Sequence, residues 1–110
     1  MAGSLNEQRW MALPLIEQMA NIGSEVGRSA KWLAKGKKSL ADGAFERALD
    51  LFDLTIEYGR LGQKARSQLL REICRMREYY AQGYTTCDMK SLTLLEKDFN
   101  HYAIACRSNH

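Results

Sequence analysis

Two kinds of side chain recur at helical spacing along the segment from Pro14 to Lys35, and this pattern limits the possible folds more than any other feature of the chain. Large apolar residues follow one another at three, three, four and seven positions, which places them on one side of a helix: Ile16, Met19, Ile22, Val26 and Leu33. Beside them runs a flank of small residues: Ala20, Gly23, Gly27, Ala30 and Ala34. A glycine inside a helix costs about 1 kcal/mol relative to alanine, so we expect a neighbouring helix to pack closely against this flank.

The length and composition indicate one helical domain. A chain of 110 residues can bury a core without disulfides or metals, and its 45% hydrophobic and 26% charged residues are ordinary for globular proteins. The single proline favours helix, and we expect Pro14 in the first turn. We divide the chain into an N-terminal lead-in (1–13), one domain (14–107) and a frayed tail (108–110). In the lead-in, Trp10, Met11 and Leu13 are expected to pack against the domain.

Four amphipathic segments predict an all-α fold, an antiparallel up-down four-helix bundle with short connections. The predicted helices are 14–35, about 39–58, about 63–82 and about 89–107. Gly36 is expected to end the first helix in the left-handed conformation, whereas Gly83 and Tyr84 are expected to open a loop after the third. The fourth helix can be capped by Thr85, Thr86 or Asp88.

The second and third helices carry opposite charge. On the second, carboxylates recur every three or four residues and form an acidic stripe: Asp42, Glu46, Asp50, Asp53 and Glu57. The third is rich in arginine and lysine, with Glu72 and Glu78 as its carboxylates. The candidate arginines on this helix are Arg66, Arg71, Arg75 and Arg77.

The three cysteines and the apolar pattern bear on the compartment. Cys74, Cys87 and Cys106 are widely spaced and form no CxxC pair, so we interpret them as reduced thiols. No apolar run approaches the length that spans a bilayer, and no signal peptide is recognisable at the N-terminus. We therefore expect a cytoplasmic protein without a membrane partner.

A catalytic or metal-binding role lacks the required residues. His101 lies three positions after Asp98, but a di-metal bundle needs this kind of pair on two helices and further glutamates on the other two. No phosphate loop, nucleophile elbow or plausible Cys–His arrangement is present. We therefore predict a non-enzymatic protein with no catalytic residue, cofactor or metal.

Nucleic-acid binding is suggested by two basic groups in a chain of net charge +3. The first lies around the end of the first helix, where a tryptophan offers a stacking surface: Arg28, Lys31, Trp32, Lys35, Lys37 and Lys38. The second consists of the arginines on the third helix. A folded face that combines both groups would suit structured RNA or a DNA duplex. The alternative is that the third-helix arginines form ion pairs with the acidic stripe.

Self-association is suggested by an excess of apolar residues. Four packed helices need roughly one apolar stripe each, whereas the first two helices carry more. Large exposed apolar patches are typical of interfaces. We therefore expect a homo-oligomer, in which the small-residue flank packs either within a protomer or between protomers.

Three segments resemble known proteins: Asn21–Trp32 (NIGSEVGRSAKW), Ala44–Ile56 (AFERALDLFDLTI) and Leu69–Tyr80 (LLREICRMREYY). Together they resemble small helical proteins of bacteria and archaea, a resemblance that implies no chemistry.

More weakly, Ala48–Ile56, Leu69–Tyr80 and Ile22–Trp32 resemble the four-helix-bundle family of ribosomal-RNA intervening-sequence proteins, which includes an accessory protein of diversity-generating retroelements. This second resemblance implies a ring-like homo-oligomer with a basic surface that binds a reverse transcriptase and structured nucleic acid.

The function that we predict from these features is a self-associating helical adaptor that binds structured RNA or DNA through its basic residues. The alternative is a protein-binding subunit or inhibitor that uses the acidic stripe to contact a basic protein partner.

Overall fold

The chain is all-helical in the computed structural model, which describes the backbone of residues 7–58 and 63–108 and the side chains of 8–57 and 69–101. Within these residues the helices are α1, Glu7–Ala12; α2, Leu15–Ala34; α3, Lys38–Tyr58; α4, Gln63–Thr85; and α5, Met89–Ser108. Helix α2 packs most extensively against α3 and α5, and α4 also contacts both of them. The predicted fold class, all-α, is confirmed.

One prediction about local structure is wrong, and one helix was not predicted. Helix α4 continues through Gly83 and Tyr84 to Thr85 instead of ending before them, and the lead-in contains the short helix α1, which contacts α3. Gly83 and Tyr84 are both buried: the ring of Tyr84 stacks on Phe45 of α3 with their centroids 4.1 Å apart, and Gly83 faces Ser91 and Leu92 of α5. Residues 109–110 of the predicted tail lie outside the described residues, and α5 includes residue 108.

The apolar stripe of α2 lies at the centre of the core. Met19, Ile22 and Val26 are at most 1% exposed, while Ile16 and Leu33 at the two ends of the stripe are half-buried. Five rings from α3, α4 and α5 pack in the same core: Phe45, Phe52, Tyr80, Tyr84 and Phe99. The helices are thus joined by aromatic contacts as well as by aliphatic ones.

A buried hydrogen-bond network fixes α1 against α2 and α3. The side-chain amide of Gln18 donates to the carbonyls of Trp10 and Leu13, at 2.9 and 3.1 Å. Its oxygen accepts from the hydroxyl of Thr55 at 2.9 Å, and that hydroxyl accepts from the indole N–H of Trp10 at 3.0 Å. Gln18 and Thr55 are fully buried, where an unpaired polar group would cost roughly 1–3 kcal/mol. Each polar atom of the network has a partner, so burial of these groups carries no such penalty.

The small-residue flank lies against α5 at one main point. A Cβ added at Gly23 would approach the Cβ of Phe99 to 2.6 Å, closer than real Cβ contacts allow. At Gly27 the nearest atom would be a carboxylate oxygen of Glu96, at 3.4 Å. Elsewhere on the flank, Ala30 is buried, Ala20 is half-buried and Ala34 is exposed. Close packing therefore depends on Gly23.

Helical spacing predicts Leu40 and Leu69 on the core faces of the second and third predicted helices, but both side chains are exposed. Leu40, in the first turn of α3, is 51% exposed, and Leu69 on α4 is 37% exposed.

None of the helices, over the part of the chain that the structure describes, combines the length and the apolar character needed to cross a bilayer.

Candidate nucleic-acid interface

Four lysines project at the connection between α2 and α3, and we call this group the lysine corner: Lys31, Lys35, Lys37 and Lys38. The connection is tight because Gly36 ends α2 at φ 73° and two backbone hydrogen bonds close the turn. Its N–H donates to the carbonyl of Leu33 at 3.1 Å, and the N–H of Lys37 donates to that of Trp32 at 2.9 Å. These bonds form the Schellman motif, which brings the lysines before and after the turn to one end of the molecule.

Trp32 anchors two of these lysines. Its ring is half-buried and packs against the hydrophobic core. The ammonium groups of Lys31 and Lys35 lie 5.6 and 5.5 Å from the ring centroid, within the range of a cation–π interaction. The tryptophan therefore holds two positive charges at the surface.

Three lysines of the lysine corner form no ion pair with a described carboxylate. Lys38 forms an ion pair with Asp42 at 2.8 Å. Among the described side chains, no carboxylate lies within ion-pairing distance of Lys31, Lys35 or Lys37. Arg28, one turn before the corner, is paired with Glu25 at 3.2 Å. Three positive charges without a carboxylate partner among the described side chains thus lie close together at the corner.

The N-terminus of α3 adds hydrogen-bond donors at the same place. The first bond at this end runs from the N–H of Ala41 to the carbonyl of Lys37, at 3.0 Å. The amides of Lys38, Ser39 and Leu40 donate to no acceptor among the described residues. Free amides at a helix N-terminus, together with the helix dipole, favour anions such as phosphate.

Lys31 of the lysine corner and Arg75 of α4 point in different directions. Ser29 of α2 and Tyr80 of α4 meet in the core, with their hydroxyl oxygens 2.6 Å apart. Because a helix turns by about 100° per residue, Lys31 points away from this contact on one side of the molecule and Arg75 on the other. Arg71, nine residues before Tyr80, points in nearly the same direction as Arg75. The lysine corner and the α4 arginines make no contact among the described side chains, and their combination in one nucleic-acid face stays a prediction.

Two of the α4 arginines are paired with carboxylates. Arg77 donates to Asp53 of the acidic stripe at 2.8 Å, and Arg75 forms an ion pair with Glu72 of its own helix at 3.0 Å. Arg71 is exposed, and the side chain of Arg66 lies outside the described residues. Among the described arginines of α4, only Arg77 forms an ion pair with the acidic stripe, which is the alternative to nucleic-acid binding.

The acidic stripe of α3 is partly used within the chain. Besides Asp53, Asp42 is engaged, since it accepts from Lys38 and from the hydroxyl of Tyr84 at 2.6 Å. These two hydrogen bonds, the one from Lys38 foremost, lower the pKa of Asp42. The remaining carboxylates of the stripe have no ion pair with a described side chain: Glu46, Asp50 and Glu57.

Burial shifts the pKa of two tyrosines of the core. Burial raises the pKa of Tyr80 and of Tyr84 above the usual tyrosine value, so both hydroxyls act as neutral hydrogen-bonding groups. Asp98 and His101 are exposed on α5. No group of three His, Cys, Asp or Glu side chains in the described part of the chain is arranged to hold a metal ion.

Two features of this surface escaped the sequence analysis. One is the start of α3, where no side chain caps the first amides. The lysine before Ser39 could have indicated this, because a lysine side chain cannot accept a hydrogen bond from an amide. The Asp42–Tyr84 bond could not be foreseen, because it joins residues 42 positions apart.

Comparison of the chain with protein-family models, curated proteins and solved structures found no match.

Proposed function

We propose that this protein is a non-enzymatic helical adaptor that self-associates and binds structured nucleic acid through the lysine corner. The observation that carries the proposal is the grouping of Lys31, Lys35 and Lys37, without carboxylate partners among the described side chains, beside free amides at the start of α3. Each phosphate neutralised by a lysine releases condensed counterions, which favours binding.

The size of the lysine corner favours a nucleic acid over a single small anion. The last turn of α2 and the first residues of α3 extend over roughly 10 Å, a distance that covers several successive phosphates of a strand. Trp32 keeps two of the ammonium groups at defined positions, which reduces the conformational entropy lost when they meet phosphates.

We also propose that α2 to α5 form the up-down four-helix bundle expected from the sequence. The proposal is supported by contacts that run in opposite directions along neighbouring helices. Along α3 and α4, Asp42 bonds Tyr84 whereas Asp53 bonds Arg77. Along α2 and α3, Gln18 bonds Thr55, and Arg47 bonds Glu25.

The function is tested by titrating the protein into a labelled structured RNA and a labelled DNA duplex at about 50 and 200 mM salt. We expect binding that weakens steeply with salt, as several phosphate contacts require. The variant Lys35→Gln/Lys37→Gln should bind more weakly and reduce the slope of log affinity against log salt by about 1 per lost contact.

The matched control compares Lys35→Gln with Arg71→Gln, which removes the same charge from an exposed residue outside the lysine corner. The salt slope of Arg71→Gln should remain close to that of the wild type. Equal losses in the two variants would indicate non-specific attraction by net charge. Absence of binding at the lower salt would refute the nucleic-acid proposal. It would leave the acidic stripe, in which Glu46, Asp50 and Glu57 have no ion pair with a described side chain, as the surface for a basic protein partner.

The accessory role beside a nucleic-acid enzyme such as a reverse transcriptase remains a proposal that rests on the sequence resemblance. It requires that the protein and the enzyme bind each other in the presence of the nucleic acid. Co-purification of the two proteins with and without nuclease treatment tests this part separately.

A further inference from the structure

An open groove of about 560 Å³ lies between α4 and α5, away from the lysine corner. One wall is formed by α4, where Met76 lies at the base and Tyr79 at the edge. Tyr79 is 44% exposed, unlike Tyr80 beside it, which is fully buried. The α4 wall therefore presents an aromatic side chain that the core does not use.

The opposite wall is formed by α5. Leu95 is buried at the base of the groove, whereas Leu94 is 48% exposed at its rim. Two of the four large apolar side chains that are exposed in the described part of the chain, Tyr79 and Leu94, thus line this one groove. Exposed apolar side chains gathered in a groove are typical of a binding surface.

The charged residues of the groove are balanced in sign. Arg75 and Lys97 carry positive charge, and Glu72 and Asp98 carry negative charge. On α5, Lys97 and Asp98 form no ion pair with a described side chain, although they are adjacent in sequence. A nucleic acid would be repelled by the carboxylates of the groove, and a strongly charged peptide by the residues of its own sign. A surface that carries equal numbers of positive and negative charges could pair with both.

We infer that this groove is the interface between two copies of the chain, related by a two-fold axis. In such an interface each residue of one copy meets a complementary residue of the other, and a surface with equal opposite charges is complementary to itself. Leu94, about one helical turn from Lys97, packs against the groove of the second copy. Lys97 then faces the Asp98 of the second copy, and Asp98 faces its Lys97.

The dimensions of this face suit a dimer. Helices of 23 and 20 residues are about 35 and 30 Å long, and a pair of helices is about 20 Å wide. The face therefore covers roughly 600 Å², which approaches the ~800 Å² per partner of a standard interface. The inference deepens the self-association in the proposed function by naming its surface and its stoichiometry.

The first test measures the native mass of the protein across the micromolar concentration range. We expect a reversible dimer of twice the 12.6 kDa of one chain. The variant Leu94→Ser should weaken dimerisation by about tenfold or more, because apolar area is lost from both copies. The control Leu40→Ser, at a similarly exposed leucine on α3, should leave the dimer unchanged.

The second test uses charge complementarity between copies. The variant Asp98→Lys carries two adjacent lysines, and the variant Lys97→Asp carries two adjacent aspartates. Each should be monomeric alone at concentrations at which the wild type is dimeric, because like charges then face each other. An equimolar mixture should form a dimer with one copy of each variant.

A monomer at every concentration, a ring of more than two copies, or a Leu94→Ser protein as dimeric as the wild type would each overturn the inference. The same holds if the mixed charge variants remain monomeric while circular dichroism shows both to be folded. These mass measurements contain no nucleic acid, so failure of the dimer and failure of binding at the lysine corner are distinguished.

Discussion

At Gly23 the absence of a side chain is what lets α5 approach α2. The helix would be more stable with alanine there if it stood alone, since glycine costs about 1 kcal/mol in a helix. Phe99 of α5 occupies the space in which the alanine methyl group would lie. Gly27, one turn later, faces the end of the flexible Glu96 side chain instead. The two glycines look equivalent in the sequence but differ in the space around them.

We therefore predict opposite effects for the same substitution at these two positions. Gly23→Ala should lower the free energy of unfolding by roughly 1–3 kcal/mol, because the added methyl group displaces Phe99. Gly27→Ala should raise it by up to about 1 kcal/mol through helix propensity, since Glu96 can move aside. Urea denaturation of the two variants and the wild type measures both effects. Equal changes in the two variants would contradict the close contact at Gly23.

At the scale of the element, α2 and α4 end in the same way with different residues. Gly36 ends α2 in the left-handed conformation, as glycine commonly does. Cys87 takes the equivalent place after α4 at φ 54°, where its N–H donates to Tyr84 and the N–H of Asp88 donates to Gly83. Asp88 then caps α5 by accepting from the N–H of Ser91 at 3.2 Å. The end of α4 and the start of α5 therefore depend on a cysteine in an unfavourable backbone conformation.

We predict that Cys87→Gly stabilises the protein by roughly 0.5–1 kcal/mol, because glycine avoids the steric cost of a Cβ in the left-handed conformation. The matched control is Cys74→Gly, in the interior of α4, which should destabilise by a few tenths of a kcal/mol through helix propensity. Both thiols are free and exposed, so loss of the thiol itself is the same in the two variants. Thermal unfolding under reducing conditions compares them, and two destabilised variants would argue against strain at Cys87.

At the scale of the whole molecule, the bond between Tyr84 and Asp42 joins the end of α4 to the start of α3. The hydrogen bonds from Lys38 and Tyr84 hold the pKa of Asp42 below the usual 3.8. A carboxylate with a lowered pKa in the folded state stabilises the fold above its unfolded pKa and loses this contribution as the pH falls through the folded value. Acid should therefore loosen the contact between these two helices.

We predict that Asp42→Asn is less stable than the wild type at pH 7 and that the difference shrinks as the pH falls below about 4. Tyr84→Phe should reduce the same pH dependence, because it removes one of the two donors to Asp42. The measurement is urea denaturation at neutral and acid pH. A difference between Asp42→Asn and the wild type that is constant over this range would refute the role of the ionised carboxylate.

Four of the five described helices, α2 to α5, were predictable because each follows from local spacing. The periodic stripe of Met19, Ile22 and Val26 located the buried face of α2, and Gly36 located its end. The same logic failed at Leu40, whose spacing fits the core face although it lies in the first turn of α3, where it is 51% exposed. The end of α4 was placed too early because Gly83 resembles a helix terminator, whereas Tyr84 after it is held in the helix by Phe45 and Asp42.

The candidate site was predictable as a set of residues but not as a surface. The sequence by itself determined the helical class, the lysines near the turn and the charge of each helix, because these depend on residues close together in the chain. Only the tertiary structure decided which lysines lack carboxylates nearby, where the α4 arginines point and which apolar side chains remain exposed between α4 and α5. Gln18 and Thr55 illustrate the reason: both are polar, yet both are buried, because partners 37 and 45 positions apart satisfy their hydrogen bonds. Long-range packing sets such environments, and the local pattern of a sequence does not encode them.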